Sequence, residues 1–204
     1  MKTTDYFEIA KTIVPFVAVT ISIIALIISQ KNTQKQIRVN KLEEILEITS
    51  TLESYYSTLF LLTSDLMKLE LSEDKKENVP KYIDLNGRIE SFFTHVSNDK
   101  LQSQFSRLYV LSHAYLPNNN SVKLKILAYS HLFDAIILSL LHKDVCFLNT
   151  DFSEGIPKPK KLSLFAGSIQ TDIIEEMNLG FDRLPDAHLI EYFKEDFKKD
   201  CGIL

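Results

Sequence analysis

From Thr12 to Gln30 the chain runs nineteen residues without an ionisable side chain. At about 1.5 Å per residue this run reaches about 28 Å, close to the thickness of a bilayer's hydrocarbon core. Pro15 falls in its first turn, where a missing N–H costs little. The pattern predicts a membrane-spanning helix. Beyond it apolar residues recur at helical spacing: Leu42, Ile45, Leu46, Thr49, Leu52, Tyr56, Leu59, Phe60 and Leu66. No glycine or proline interrupts Lys31 to Leu69, so one long helix is expected to continue out of the membrane.

The remaining periodicity is also helical. After a polar loop, Ser72 to Pro80, helices are expected from about Tyr82 to Val96, Lys100 to Leu116 and Val122 to Phe147. Pro117-Asn118-Asn119-Asn120 reads as a turn, with Ser121 as an N-cap. The Val122 helix is the most apolar, but Lys123, Lys125, Asp134, Lys143 and Asp144 argue for a core helix over a second span. Asn149 to Lys161, with Gly155, Pro157 and Pro159, reads as a loop. A helix to about Asn178 follows, capped by Gly180, and a short one carries Leu189, Ile190, Phe193 and Phe197. No stretch alternates at period two. The expected fold is all-α, divided as 1–11 (a short tail), 12–30 (the span), 31–70 (a membrane-proximal helix) and 71–204 (a helical domain packing with 31–70).

Charge gives the span a direction. Residues 1–41 carry six Lys/Arg against two Asp/Glu, and residues 42–204 carry seventeen against twenty-five. Lys31, Lys35, Arg38 and Lys41 follow the span, whereas only Lys2 and Lys11 precede it. The excess of positive charge after the span predicts a single-pass protein with the large domain in the cytoplasm and the N-terminus outside. The residues before the run carry no net charge, so an uncleaved anchor is expected over a signal peptide. The acidic balance of the domain argues against a general nucleic-acid-binding surface.

One face of the span differs from the others. Pro15, Ala18, Ser22, Ala25 and Ser29 recur at steps of three and four, and Asn32 and Gln36 continue the series. Small residues let helices approach closely in lipid. Ala18, Ser22, Ala25, Ser29, Asn32 and Gln36 are therefore candidates for a self-association seam or the lining of an oligomeric pore.

Candidate chemistry is sparse. There is no phosphate-binding glycine loop, no zinc-protease motif and no Cys/His cluster spaced for metal. No cofactor or metal is expected. Cys201-Gly202-Ile203-Leu204 imitates a prenylation box but reads as a plain terminal peptide. Two arginine–histidine pairs stand out, Arg88 with His95 and Arg107 with His113. Such a pair could supply an acid or base, plus a cation for the pentacoordinate phosphate of RNA self-cleavage. The spacing resembles the active-site motif of HEPN ribonucleases. Arg88 and His95, seven apart, share a helix face. Arg107 and His113 lie about 120° apart and would need a kink or a helix end to meet. The apolar Ile89 and Leu108 depart from the polar residue usual after the arginine, so an enzyme is the less favoured reading.

The layout as a whole resembles the small transmembrane accessory proteins of type VI-B CRISPR systems: one N-terminal span, a long continuation helix and a divergent HEPN-like helical domain. That resemblance implies a homo-oligomeric ring around a membrane pore. It also implies a functional link to an RNA-guided nuclease and an antiviral role in which the inner membrane is compromised. The alternatives are a membrane-tethered HEPN-type ribonuclease and a non-enzymatic membrane scaffold.

Overall fold

The computed structural model describes residues 3–70, 79–116, 121–149, 152, 155–179 and 196–202. All regular elements among them are helices: α1 (Thr3–Glu70), α2 (Val79–His95), α3 (Asn98–Tyr115), α4 (Ser121–His142), α5 (Cys146–Asn149), α6 (Pro159–Leu179) and α7 (Lys198–Asp200). The chain divides into two compact units, residues 1–41 and 42–204.

The first unit is helix throughout its described length. From Val14 to Ile37 every residue is exposed, including Phe16, Ile21, Ile24 and Leu26. Among the described residues this is one of two helical stretches long and apolar enough to cross a membrane, and none of its apolar window is buried. The other is α4, most of which is buried. No other described residue covers this helix, which makes it a candidate span, whereas α4 finds its apolar surroundings within the fold.

The second unit is built around α4. Leu42, Ile45, Thr49, Leu52, Tyr56, Leu59, Thr63 and Leu66 of α1 are all buried, and they recur strictly at three and four. The α1 stretch from Leu42 thus presents one continuous stripe to the core. Phe133 of α4 sits among Tyr56 (5.5 Å between ring centroids), Tyr129 (4.8 Å) and Phe105 (6.3 Å). Two buried phenols tie the layers together. Tyr129 donates to the Thr49 carbonyl at 3.2 Å, and Tyr56 donates to the Pro157 carbonyl at 2.6 Å. α2 folds back on α1, with Arg88 on Asp65 at 3.0 Å and Phe92 edge-on to Tyr55 at 6.3 Å. α6 closes the opposite side. Its Ser163 donates to Glu53 at 2.6 Å, and Lys125 of α4 reaches its Asp172 at 2.6 Å. Phe197 packs edge-on to Phe165 at 5.2 Å, beside the buried Cys201.

Three boundaries differ from the sequence reading. α2 begins at Val79, not near Tyr82, and α6 begins at Pro159, not after Lys161. In both cases a proline read as a loop residue occupies the first turn, where a missing N–H forfeits no bond. α4 ends at His142 and does not run on to Phe147. Lys143 takes a left-handed φ of 55°, and the Asp144 N–H turns back to the Ser139 carbonyl at 3.0 Å. This terminates the helix without the usual glycine. Ser121 is the first residue of α4, and the turn before it lies outside the described residues, as do most of the loop after Glu70, Gly180 and the helix placed at Leu189 to Phe193.

Candidate functional site

On the exposed helix of the first unit, the polar groups of the small-residue face are partly answered within the helix. Ser22 donates to the Ala18 carbonyl at 2.8 Å, and Thr33 donates to the Ser29 carbonyl at 2.9 Å. On another face Thr20 does the same with Phe16 at 2.9 Å. Back-bonding of this kind removes the cost of a bare hydroxyl donor in hydrocarbon. Ser22 therefore contributes a small, quiet surface more than a free donor. Asn32 and Gln36 are exposed, and their larger amides carry two donors and an acceptor each. Ala18, Ala25 and Ser29 are exposed too, so the whole series is available to a neighbour.

The two arginine–histidine pairs separate. Arg88 and His95 line one groove of about 340 Å³ together with Thr58, Leu61, Leu62, Ser91 and Phe92. Their seven-residue spacing on an unbroken α2 puts them on one face. Arg88, however, is held by Asp65 at 3.0 Å, with Asp84 at 3.9 Å. A guanidinium already bound to a carboxylate must exchange that partner before it can take a phosphate. On its other side Arg88 borders a second, mixed-charge groove of about 570 Å³ with Asp65, Lys68, Lys81 and Asp84.

Arg107 and His113 do not converge. α3 runs unbroken through both, and the two side chains have different partners. The Arg107 guanidinium donates to Glu44 of α1, a bond that holds the arginine above its ordinary range. The His113 ring lies 4.4 Å from that of Tyr109. Desolvation, then the nearby Lys123 ammonium, lowers the His113 pKa and favours the neutral ring. Lys123 is itself almost completely buried, and that burial lowers its pKa. The sequence places Lys123 on the helix but does not show its burial, because a lysine beside Val122 at a helix start gives no sign of being buried.

A further cluster surrounds the turn after α4. The Cys146 N–H donates to the Asp144 carboxylate at 2.8 Å. Hydrogen bonds from Cys146 hold that carboxyl below its usual range, and the same pairing pushes the Cys146 thiol up. A thiol kept protonated in this way is a poor nucleophile. Among the described residues no three His, Cys, Asp or Glu side chains are grouped to hold a metal ion.

No family model, curated protein or solved structure matches this chain.

Proposed function

We propose that this protein is a single-pass inner-membrane effector whose spans associate into a homo-oligomeric pore, permeabilising the membrane as an accessory to RNA-guided antiphage defence. The observation that carries the reading is the exposed helix after Val14, uncharged as far as Gln30, with its face of small residues continued by Asn32 and Gln36. Repeated around an axis, that face would give a close-packed apolar ring with amides at one mouth. The Lys31–Lys41 flank orients the helical domain to the cytoplasm. The defence role and the HEPN-like character of the domain are carried by the likeness in layout to type VI-B accessory proteins. The test is ion flux from vesicles containing the purified full-length chain. Flux that scales with a multi-chain particle supports the pore; a strictly monomeric, non-conducting particle overturns it.

One observation favours a second reading, a membrane-tethered ribonuclease: the shared groove of Arg88 and His95. The Asp65 pairing of Arg88 weighs against it. RNA cleavage lost on His95→Ala would favour this reading.

A further inference from the structure

The outer face of α6 carries apolar side chains that no other described residue covers. Lys160, Leu164, Gly167, Thr171 and Ile174 recur at steps of four, three, four and three, which puts them on one side of the helix. Leu164 is 64% exposed and Ile174 is 50% exposed. A Cβ added at Gly167 would meet nothing within 4 Å. Glycine inside a helix is unfavourable, and no described residue requires it at position 167. Thr171 turns its hydroxyl inward to the Gly167 carbonyl at 3.0 Å, leaving its methyl group outward. The flanks of the face are already engaged. Ser163 and Gln170 bond to Glu53 and Ser50 of α1, and Ser168 and Asp172 to Lys125 of α4.

The charges at the ends of α6 supply a second, independent observation. The first turn carries Lys160 and Lys161 and no acid, and Glu175 and Glu176 come near the end, where no base follows. Both placements oppose the helix dipole, which favours acids at the start and bases at the end. An antiparallel copy of the same helix would reverse the penalty, because it sets the acidic end of one against the basic end of the other. Neither Lys160 nor Glu175 forms an ion pair with another described residue.

We infer that α6 is a docking helix for a second copy of this chain, packed antiparallel against the same helix across a two-fold axis. Leu164 of one copy then covers Ile174 of the other, and Gly167 faces Thr171. Lys160 comes within reach of Glu175. The arrangement is isologous, since each contact occurs twice. It does not depend on the pore reading, because it uses no residue of the first unit.

The test is cross-linking of the full-length chain in detergent, with the exposed Cys146 replaced by serine and the buried Cys201 retained. Chains carrying Gly167→Cys are mixed with chains carrying Thr171→Cys and oxidised. The mixture is expected to form disulfide-linked pairs several-fold more efficiently than either variant alone, because only the unlike positions face one another. Lys160→Glu or Glu175→Lys should each lower that yield several-fold, and the two together should restore it. These residues are fifteen apart on one helix, about 22 Å, so rescue cannot come from a contact within a chain. Gly167→Leu should abolish pairing while helix content and melting temperature are kept, since the added side chain enters open space in the monomer. Absence of the mixed cross-link, or charge reversals that fail to rescue one another, overturns the inference.

Discussion

The Tyr56 phenol of α1 donates to the Pro157 carbonyl at 2.6 Å, in a fully desolvated setting 101 residues away along the chain. That single bond fixes the loop before α6 to the centre of the helical unit. Pro157 lies outside the helices, so its carbonyl depends on contacts of this kind. Tyr56→Phe keeps the packing against Phe133 and leaves that carbonyl buried without its donor. A loss of about 1–3 kcal/mol is expected, read as a lowered midpoint in thermal or denaturant unfolding. Tyr129→Phe should cost less, because the Thr49 carbonyl that it serves also accepts within α1.

Alkaline pH should destabilise the helical unit in a defined window. Burial raises the Cys201 thiol to about 12, and burial also raises Tyr56 and Tyr129 well above the ordinary phenol range. In each case the folded state holds its proton where the unfolded state has lost it. Stability from these groups is therefore complete below the thiol's unfolded value, near 9, and falls as pH rises through and beyond it. The slope is about 1.4 kcal/mol per pH unit for each group that has entered its window. Unfolding midpoints measured from pH 8 to pH 11 should fall first through Cys201 and more steeply above about 10, where the tyrosines join. Cys201→Ala should flatten the first part of that fall. A midpoint unchanged across the range would contradict the burial of all three groups.

Arg107 is expected to be a positioning residue between α3 and α1. Arg107→Ala and His113→Ala should leave the protein folded and its effect on a membrane intact, because the two side chains meet Glu44 and Tyr109 and not each other. Arg107→Lys should behave like the parent. Loss of vesicle conductance in His113→Ala alone would assign that ring a role that its geometry does not supply.

The Lys125–Asp172 pair joins α4 to α6 at 2.6 Å with both side chains more than two-thirds covered. Asp172→Asn is expected to cost about 1 kcal/mol, more than an exposed pair and less than a fully buried one. The double variant Lys125→Met/Asp172→Leu should recover most of it. Denaturant midpoints of the three variants give the comparison.

Much of the helical fold was legible in the sequence, because α1 to α4 and α6 each keep an unbroken apolar stripe. The exposed helix of the first unit was legible for the same reason, as nineteen residues without charge admit few other readings. The boundaries at Pro80 and Pro159 were misread because proline both breaks a helix and begins one. The end of α4 was missed because Lys143 adopts a left-handed turn that favours glycine, and its neighbours in sequence do not advertise this. At the candidate sites, the shared face of Arg88 and His95 followed from spacing alone. The carboxylates that hold Arg88 and Arg107 did not, since Asp65 and Glu44 lie 23 and 63 residues from those arginines and are joined to them only by tertiary packing.

The proposed pore rests most heavily on the small face of the first unit. The most direct measurement is single-channel current across a planar bilayer containing the purified full-length chain, compared with Ser22→Leu and Gln36→Leu. Ser22→Leu places bulk where helices would approach closely, and Gln36→Leu removes an amide from the mouth while both leave the helical unit untouched. The pore reading predicts discrete currents from the parent chain, abolished by Ser22→Leu and reduced or altered in ion preference by Gln36→Leu. A membrane-inserted oligomer that passes no current, or currents unchanged in Ser22→Leu, would contradict it.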